Sequence, residues 1–222
     1  MKPRFFVRVL FVAALALGWG VGTAQAGQAK EIELVMKDGG SRLAVLRLNE
    51  KNLLIEFNDR TDSALFGPDA LITINHKDKT YRAQSYDELL AAIAKYGKEL
   101  GSARSELEIK LTDNVATISG FKVKEVIKLR RGKPEGELWV CKELTPLPLR
   151  AFAEKIRSIL PADYWSRVNG NPGIVDLIGF YGVPLKIEAA GDSHFEAAAA
   201  SIKDKEFSTE TFQVPAGYRK VN

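Results

Sequence analysis

LEIKLTDNVATISGFKVKEVIKLRRGKPEGELWVCK, residues 107–142, is the stretch that decides the fold. Leu107, Ile109 and Leu111 alternate with Glu108 and Lys110; Phe121, Val123, Ile127 and Leu129 alternate with Lys122, Lys124 and Lys128. A period of two sends successive side chains to opposite faces, so each run reads as a strand with one apolar and one wet side. Asp113-Asn114 reads as a turn from which Val115 to Ser119 pairs back. Arg131 to Gly136 reads as a second turn, leading into a buried strand at Glu137 to Lys142. Such a meander predicts an antiparallel sheet covered on one side.

Upstream the pattern repeats. Ile32, Leu34 and Met36 alternate with glutamates, Asp38-Gly39-Gly40 signals a hairpin, Arg42 to Leu48 returns, and Leu53, Ile55 and Phe57 open a third strand. Asn58 to Asp69 reads as a polar loop before Leu71 to Asn75, a turn at His76 to Lys79, and a short continuation from Tyr81. Ser85-Tyr86-Asp87-Glu88 is a capping box, followed by Leu89, Leu90, Ile93 and Leu100 at helical spacing, with Gly101 as the stop. Downstream, Pro148 starts a helix whose stripe is Phe152, Ile156, Ile159 and Leu160, stopped by Pro161. Ile174 to Tyr181 is apolar on nearly all sides, and strands are expected at Val183 to Ile187, Ala197 to Lys203 and Phe207 to Val214. The predicted class is α+β: a curved antiparallel β-sheet (a half-barrel) with two or three helices packed on its concave face.

Residues 1–26 carry the three parts of a secretory leader: Lys2, Arg4 and Arg8, then the apolar run Val9 to Leu17, then Ala24-Gln25-Ala26 before Gly27. Gly18, Gly20 and Gly22 interrupt the run before the roughly 20 residues a membrane-spanning helix needs, so cleavage with no transmembrane anchor left is the expectation. Residues 27–222 are then one domain in the periplasm or outside the cell. The chain has 32 Lys and Arg against 28 Asp and Glu; three basic residues leave with the leader, so 29 face 28 and a nucleic-acid partner is not expected. Cys141, the one cysteine, cannot form an internal disulfide and reads as a core thiol.

The tail Phe212-Gln213-Val214-Pro215-Ala216-Gly217-Tyr218 resembles the Phe-x-Val/Ile-Pro-x-Gly-Tyr ending of a family of exported bacterial proteins, domain of unknown function 4412. Glu137-Leu138-Trp139-Val140 and Gly182-Val183-Pro184-Leu185-Lys186 resemble two of its strands. The resemblance implies a half-barrel similar to the periplasmic lipoprotein carrier LolA, which cups acyl chains between sheet and helices. It transfers no catalytic or binding residue.

No catalytic set, cofactor or metal site emerges. His76 and His194 lack ligand-spaced partners, and no Gly-x-Ser-x-Gly elbow is present. Asn58, Asp59, Asp62 and Asp69 share a loop without the spacing of a calcium site. Lys122, Lys124, Lys128, Arg130 and Arg131, with Lys133, form a basic set that reads either as a patch for anionic headgroups or an acidic partner, or as a solvated face. Ile174 to Tyr181 reads either as a lid over an apolar cavity, with Ile174, Trp165, Phe180 and Tyr181 as ligand-binding residues, or as a core helix. The expected function is a non-enzymatic envelope protein binding a lipid-like or other apolar ligand; the alternative is an interaction module docking an envelope protein.

Overall fold

The computed structural model describes residues 29–37, 40–58, 61–99, 106–160, 164, 174–189 and 195–221. Twelve strands form one open sheet in the order β12-β6-β5-β4-β3-β2-β1-β11-β10-β9-β8-β7. They are β1 (Lys30–Met36), β2 (Arg42–Leu48), β3 (Leu53–Phe57), β4 (Asp62–Phe66), β5 (Ala70–Asn75), β6 (Thr80–Ser85), β7 (Leu107–Ile118), β8 (Phe121–Arg130), β9 (Lys133–Cys141), β10 (Val183–Ala189), β11 (Phe195–Asp204) and β12 (Arg219–Lys220). All neighbours are antiparallel except β12, which lies parallel to β6. Three helices, α1 (Tyr86–Glu99), α2 (Leu147–Ile159) and α3 (Ile174–Tyr181), complete the described elements. The α+β class predicted from alternation holds.

The helix-covered face is built by cross-strand rows. Ile32, Leu46, Ile55 and Ala64 stand opposite one another across β1 to β4, and each is at most 1% exposed. Against this floor α2 sets Phe152 and Ile156, and α3 sets Leu177, Ile178 and Phe180, all buried. Gly179 of α3 faces the Phe66 ring of β4, 3.7 Å from where a Cβ would stand, an ordinary packing distance. The Tyr86 ring of α1 stacks on Phe152 at 4.4 Å between centroids. Burial of each such side chain contributes about 1.5–3 kcal/mol, so this face holds most of the stability.

Three expectations are corrected. The polar loop read at Asn58 to Asp69 contains β4, whose Ser63, Ala64, Leu65 and Phe66 are buried because strands flank it on both sides. Asp62 therefore opens the strand and Asp69 follows its far end, so they do not share a loop; Asp59 lies outside the described residues. The turn read at Asp113-Asn114 is a bulge inside β7: the Thr112 hydroxyl and Asn114 amide both donate to Glu125 Oε2 at 2.8 Å, and the chain turns instead at Ser119-Gly120, both at positive φ. The strand expected at Phe207 to Val214 is a short 3-10 turn, Thr209–Phe212, whose backbone bonds are local: Thr211 N–H donates to Ser208 and Gln213 N–H to Glu210.

That tail closes the other face. It leaves β11 and ends beside β6, so it must cross β1 to β5, and Phe207, Thr211 and Pro215 stand with Leu54 and Ile74 around one hollow there.

Candidate functional site

Helix α2 has two stripes. Leu149, Phe152 and Ile156 face the core, whereas Arg150, Ala153, Glu154 and Arg157 recur at the i, i+3, i+4, i+7 spacing of one adjoining face. Pro146 and Pro148 flank the helix start, where missing N–H groups cost nothing. The second stripe forms one wall of a cavity of about 500 Å³. Leu111, Val123 and Val140 from β7, β8 and β9 form its floor, and Tyr181 and Gly182 close one side.

The corner at Gly182 is held by a buried hydroxyl. Thr145, only 4% exposed, donates from Oγ1 to the Cys141 carbonyl at 2.7 Å and accepts the Val183 N–H at 3.0 Å. Gly182 has φ +106°, and a Cβ there would lie 2.5 Å from that hydroxyl, so only glycine fits. The hydroxyl thus ties the end of β9 to the start of β10 beneath the cavity.

The rim is basic. Lys122, Lys124, Lys142, Arg150 and Arg157 surround the cavity against Glu143 and Glu154. Arg150 donates to the carbonyls of Lys142 and Thr145 at 2.7 and 3.1 Å, and its Nε is buried without a partner. Arg157 donates to the Phe180 carbonyl. Lys142 reaches Glu154 at 3.4 Å and Lys124 reaches Asp113 at 3.7 Å, both between exposed side chains, where such pairs hold little energy.

The residues singled out from sequence separate into groups. Lys122, Lys124 and Tyr181 meet at this cavity. Lys128 and Arg130 instead hold Glu135, at 2.9 and 2.6 Å, and Arg131 holds Glu106. The hydrogen bond from Arg130, then that from Lys128, keeps the Glu135 carboxyl below its usual range. Phe180 is buried, facing Tyr164 at 5.9 Å, and Ile174 packs against the core, so α3 is packed as a core helix. Trp165 and His194 lie outside the described residues. Arg150 and Arg157 carried no sequence signal beyond their helical spacing. Cys141 is buried, and desolvation pushes its thiol up, away from the reactive thiolate.

His76 has partners that sequence spacing did not show. One ring nitrogen lies 2.9 Å from Ser63 Oγ and the other 2.9 Å from the Tyr218 hydroxyl, beside a hollow of about 440 Å³ under the tail. Strand β4, which carries Ser63, is paired along both edges, so its amides serve the ladder and not a developing oxyanion. The bonded chain anchors the tail.

No protein-family model matches the sequence, and no curated protein matches it. Among solved structures, one crystal form of PNGF-II aligns with TM-score 0.51 at 14% identity over 87% of this chain and 31% of that one. A second crystal form of PNGF-II gives TM-score 0.49 at 15% identity over 87% of this chain and 30% of that one. An uncharacterised conserved protein from Thermus thermophilus aligns with TM-score 0.40 at 7% identity, covering 87% of this chain and 90% of that one. This chain spans under a third of the PNGF-II length, and the likeness is one of fold alone.

Proposed function

We propose that this chain is an exported, non-catalytic binding protein of the bacterial cell envelope that holds an amphipathic, lipid-like ligand in the cavity between α2 and β7–β9. The observation that carries this reading is a hollow of about 500 Å³ between α2 and β7–β9, where Leu111 is 44% exposed beside the buried Val123 and Val140. Its volume of about 500 Å³ falls within the range typical of small-molecule sites. The leader pattern of residues 1–26 and the likeness to domain of unknown function 4412 support export. The test is native mass spectrometry of the chain from Gly27 onward, purified from an exported preparation without detergent. Extra mass released by organic extraction as lipid or fatty acid is the expected result. A bare mass, unchanged after incubation with envelope lipids, overturns the reading.

A second reading, docking of an envelope protein, is favoured by one observation. Leu111 and Val115 are 44% and 47% exposed on β7, the outermost strand of the sheet, where a partner strand can add. A bare mass in the experiment above directs attention there.

A further inference from the structure

Resting on the binding reading, we infer that the ligand is a single-chain amphiphile with an anionic headgroup, a carboxylate or a phosphate. Its head sits at Lys122, Lys124 and Lys142, and its chain lies on the apolar floor.

The argument is one of charge pairing. On the neighbouring strands basic side chains are matched by carboxylates: Arg47 by Glu31 and Glu56, Lys128 and Arg130 by Glu135, and Lys186 by Glu137 and Glu188. Around the cavity the matching is looser: Lys142 meets Glu154 at 3.4 Å and Lys124 meets Asp113 at 3.7 Å, both only between exposed side chains where such pairs hold little energy. Lys122 has no ion pair among the described residues, Arg150 and Arg157 meet only main-chain carbonyls, and Arg150 keeps a buried Nε without an acceptor. A basic rim over low-dielectric walls concentrates its field inside the cavity and draws an anion there. Lys122 and Lys124 stand two residues apart on β8, and the register Lys124↔Val140, carried on along β9, brings Lys142 toward Lys122. Three ammonium groups at one end of an apolar floor fit one compact anion with a chain attached. A polyanion such as nucleic acid has no use for the floor, and a neutral lipid has none for the rim.

The test uses the protein from Gly27 onward, stripped of bound lipid, titrated calorimetrically with three probes of equal chain length. These are a fatty acid, a lysophosphatidic acid and an uncharged monoacylglycerol. The acids are expected to bind about tenfold or more tightly than the neutral probe, and that margin shrinks as salt rises from ~50 to ~500 mM. The K122E/K124E double variant, at two exposed positions, loses the margin, whereas K133E, at the exposed start of β9 outside the cavity, keeps it. The stronger of the two acids identifies the headgroup. Equal binding of acid and neutral probes at ~50 mM salt overturns the inference and leaves the cavity reading standing. Binding of none of the three overturns the cavity reading itself.

Discussion

Replacing Thr145 by valine keeps the shape of the side chain and removes the hydroxyl that ties β9 to β10. In the native chain that oxygen serves two backbone groups, donating to the Cys141 carbonyl and accepting from the Val183 N–H. Thr145 and Val183 are both buried, so water cannot replace it. Each backbone group left without its partner costs about 1–3 kcal/mol, less where the site relaxes, giving an expected loss of about 2–4 kcal/mol for Thr145→Val. For a domain of this size that lowers Tm by on the order of 10 °C. Thr145→Ser keeps the hydroxyl and loses one methyl group, about 1 kcal/mol. The assay is urea unfolding followed by tryptophan fluorescence, with an unchanged slope and a lower midpoint expected for valine. If the valine and serine variants unfold within about 0.5 kcal/mol of each other, the hydroxyl is not the tie and the account of this corner is wrong.

Two further outcomes are expected. Tyr218→Phe removes the hydroxyl at His76 and weakens the tail by about 0.5–1.5 kcal/mol; hydrogen exchange across residues 205–221 should quicken while β1–β3 are unchanged, and unaltered tail exchange refutes the anchor. Acid should destabilise the fold through the back-face carboxylates. Burial raises Glu31 and Glu137, but bonds from Lys205 and Arg47, and from Lys186 and Trp139, outweigh it and leave both below 4.5. Depressed carboxyls bind fewer protons folded than unfolded, so their stabilisation is complete above pH 4.5 and is lost as pH falls through the folded values. An unfolding midpoint that stays flat from pH 6 down to about 3 contradicts this.

What the sequence revealed and what it concealed follow the range of the interactions. The capping box was legible because it is local: Ser85 N–H donates to Glu88 Oε2 at 2.8 Å and Glu88 N–H to Ser85 Oγ at 3.1 Å, three residues apart. The α2 stripe was legible for the same reason, but the alternation read along β8 holds only in part: Val126 is buried between Lys124 and Lys128, and the register sets Leu107 and Ile109 opposite Arg130 and Lys128. Strand β4 was hidden because it is short and begins Asp62-Ser63, and its burial comes from distant chain: Ala64 joins the core under the helices and Ser63 meets His76 under the tail. Asp113-Asn114 carries turn residues, yet Glu125 eleven residues on converts the spot to a bulge. The basic set was legible as charge, but its division was not. Glu135 is five residues from Arg130, and Glu106 is 25 from Arg131, so pairing depended on the hairpin closing. The His76–Tyr218 bond joins residues 142 apart.

The filled face of the sheet decides where a ligand can bind. Moving α3 aside to open the face would return Leu177, Ile178 and Phe180 to water, at about 1.5–3 kcal/mol each. The total, roughly 5–9 kcal/mol, is comparable to the entire stability of an ordinary domain. A ligand would have to recover that before gaining any affinity, and about 0.8 kcal/mol per buried CH₂ makes a single acyl chain a poor source of the surplus. The hollow beside α2 exacts no such cost, because it is already open, with Leu111 exposed on it and basic side chains outnumbering acidic ones around it. A ligand seated there would need no helix displacement. Two side chains on the cavity reach α3: Tyr181, whose hydroxyl bonds the Ile109 carbonyl at 3.4 Å, and Arg157, which donates to the Phe180 carbonyl, so a ligand contact that moved α3 would act through these.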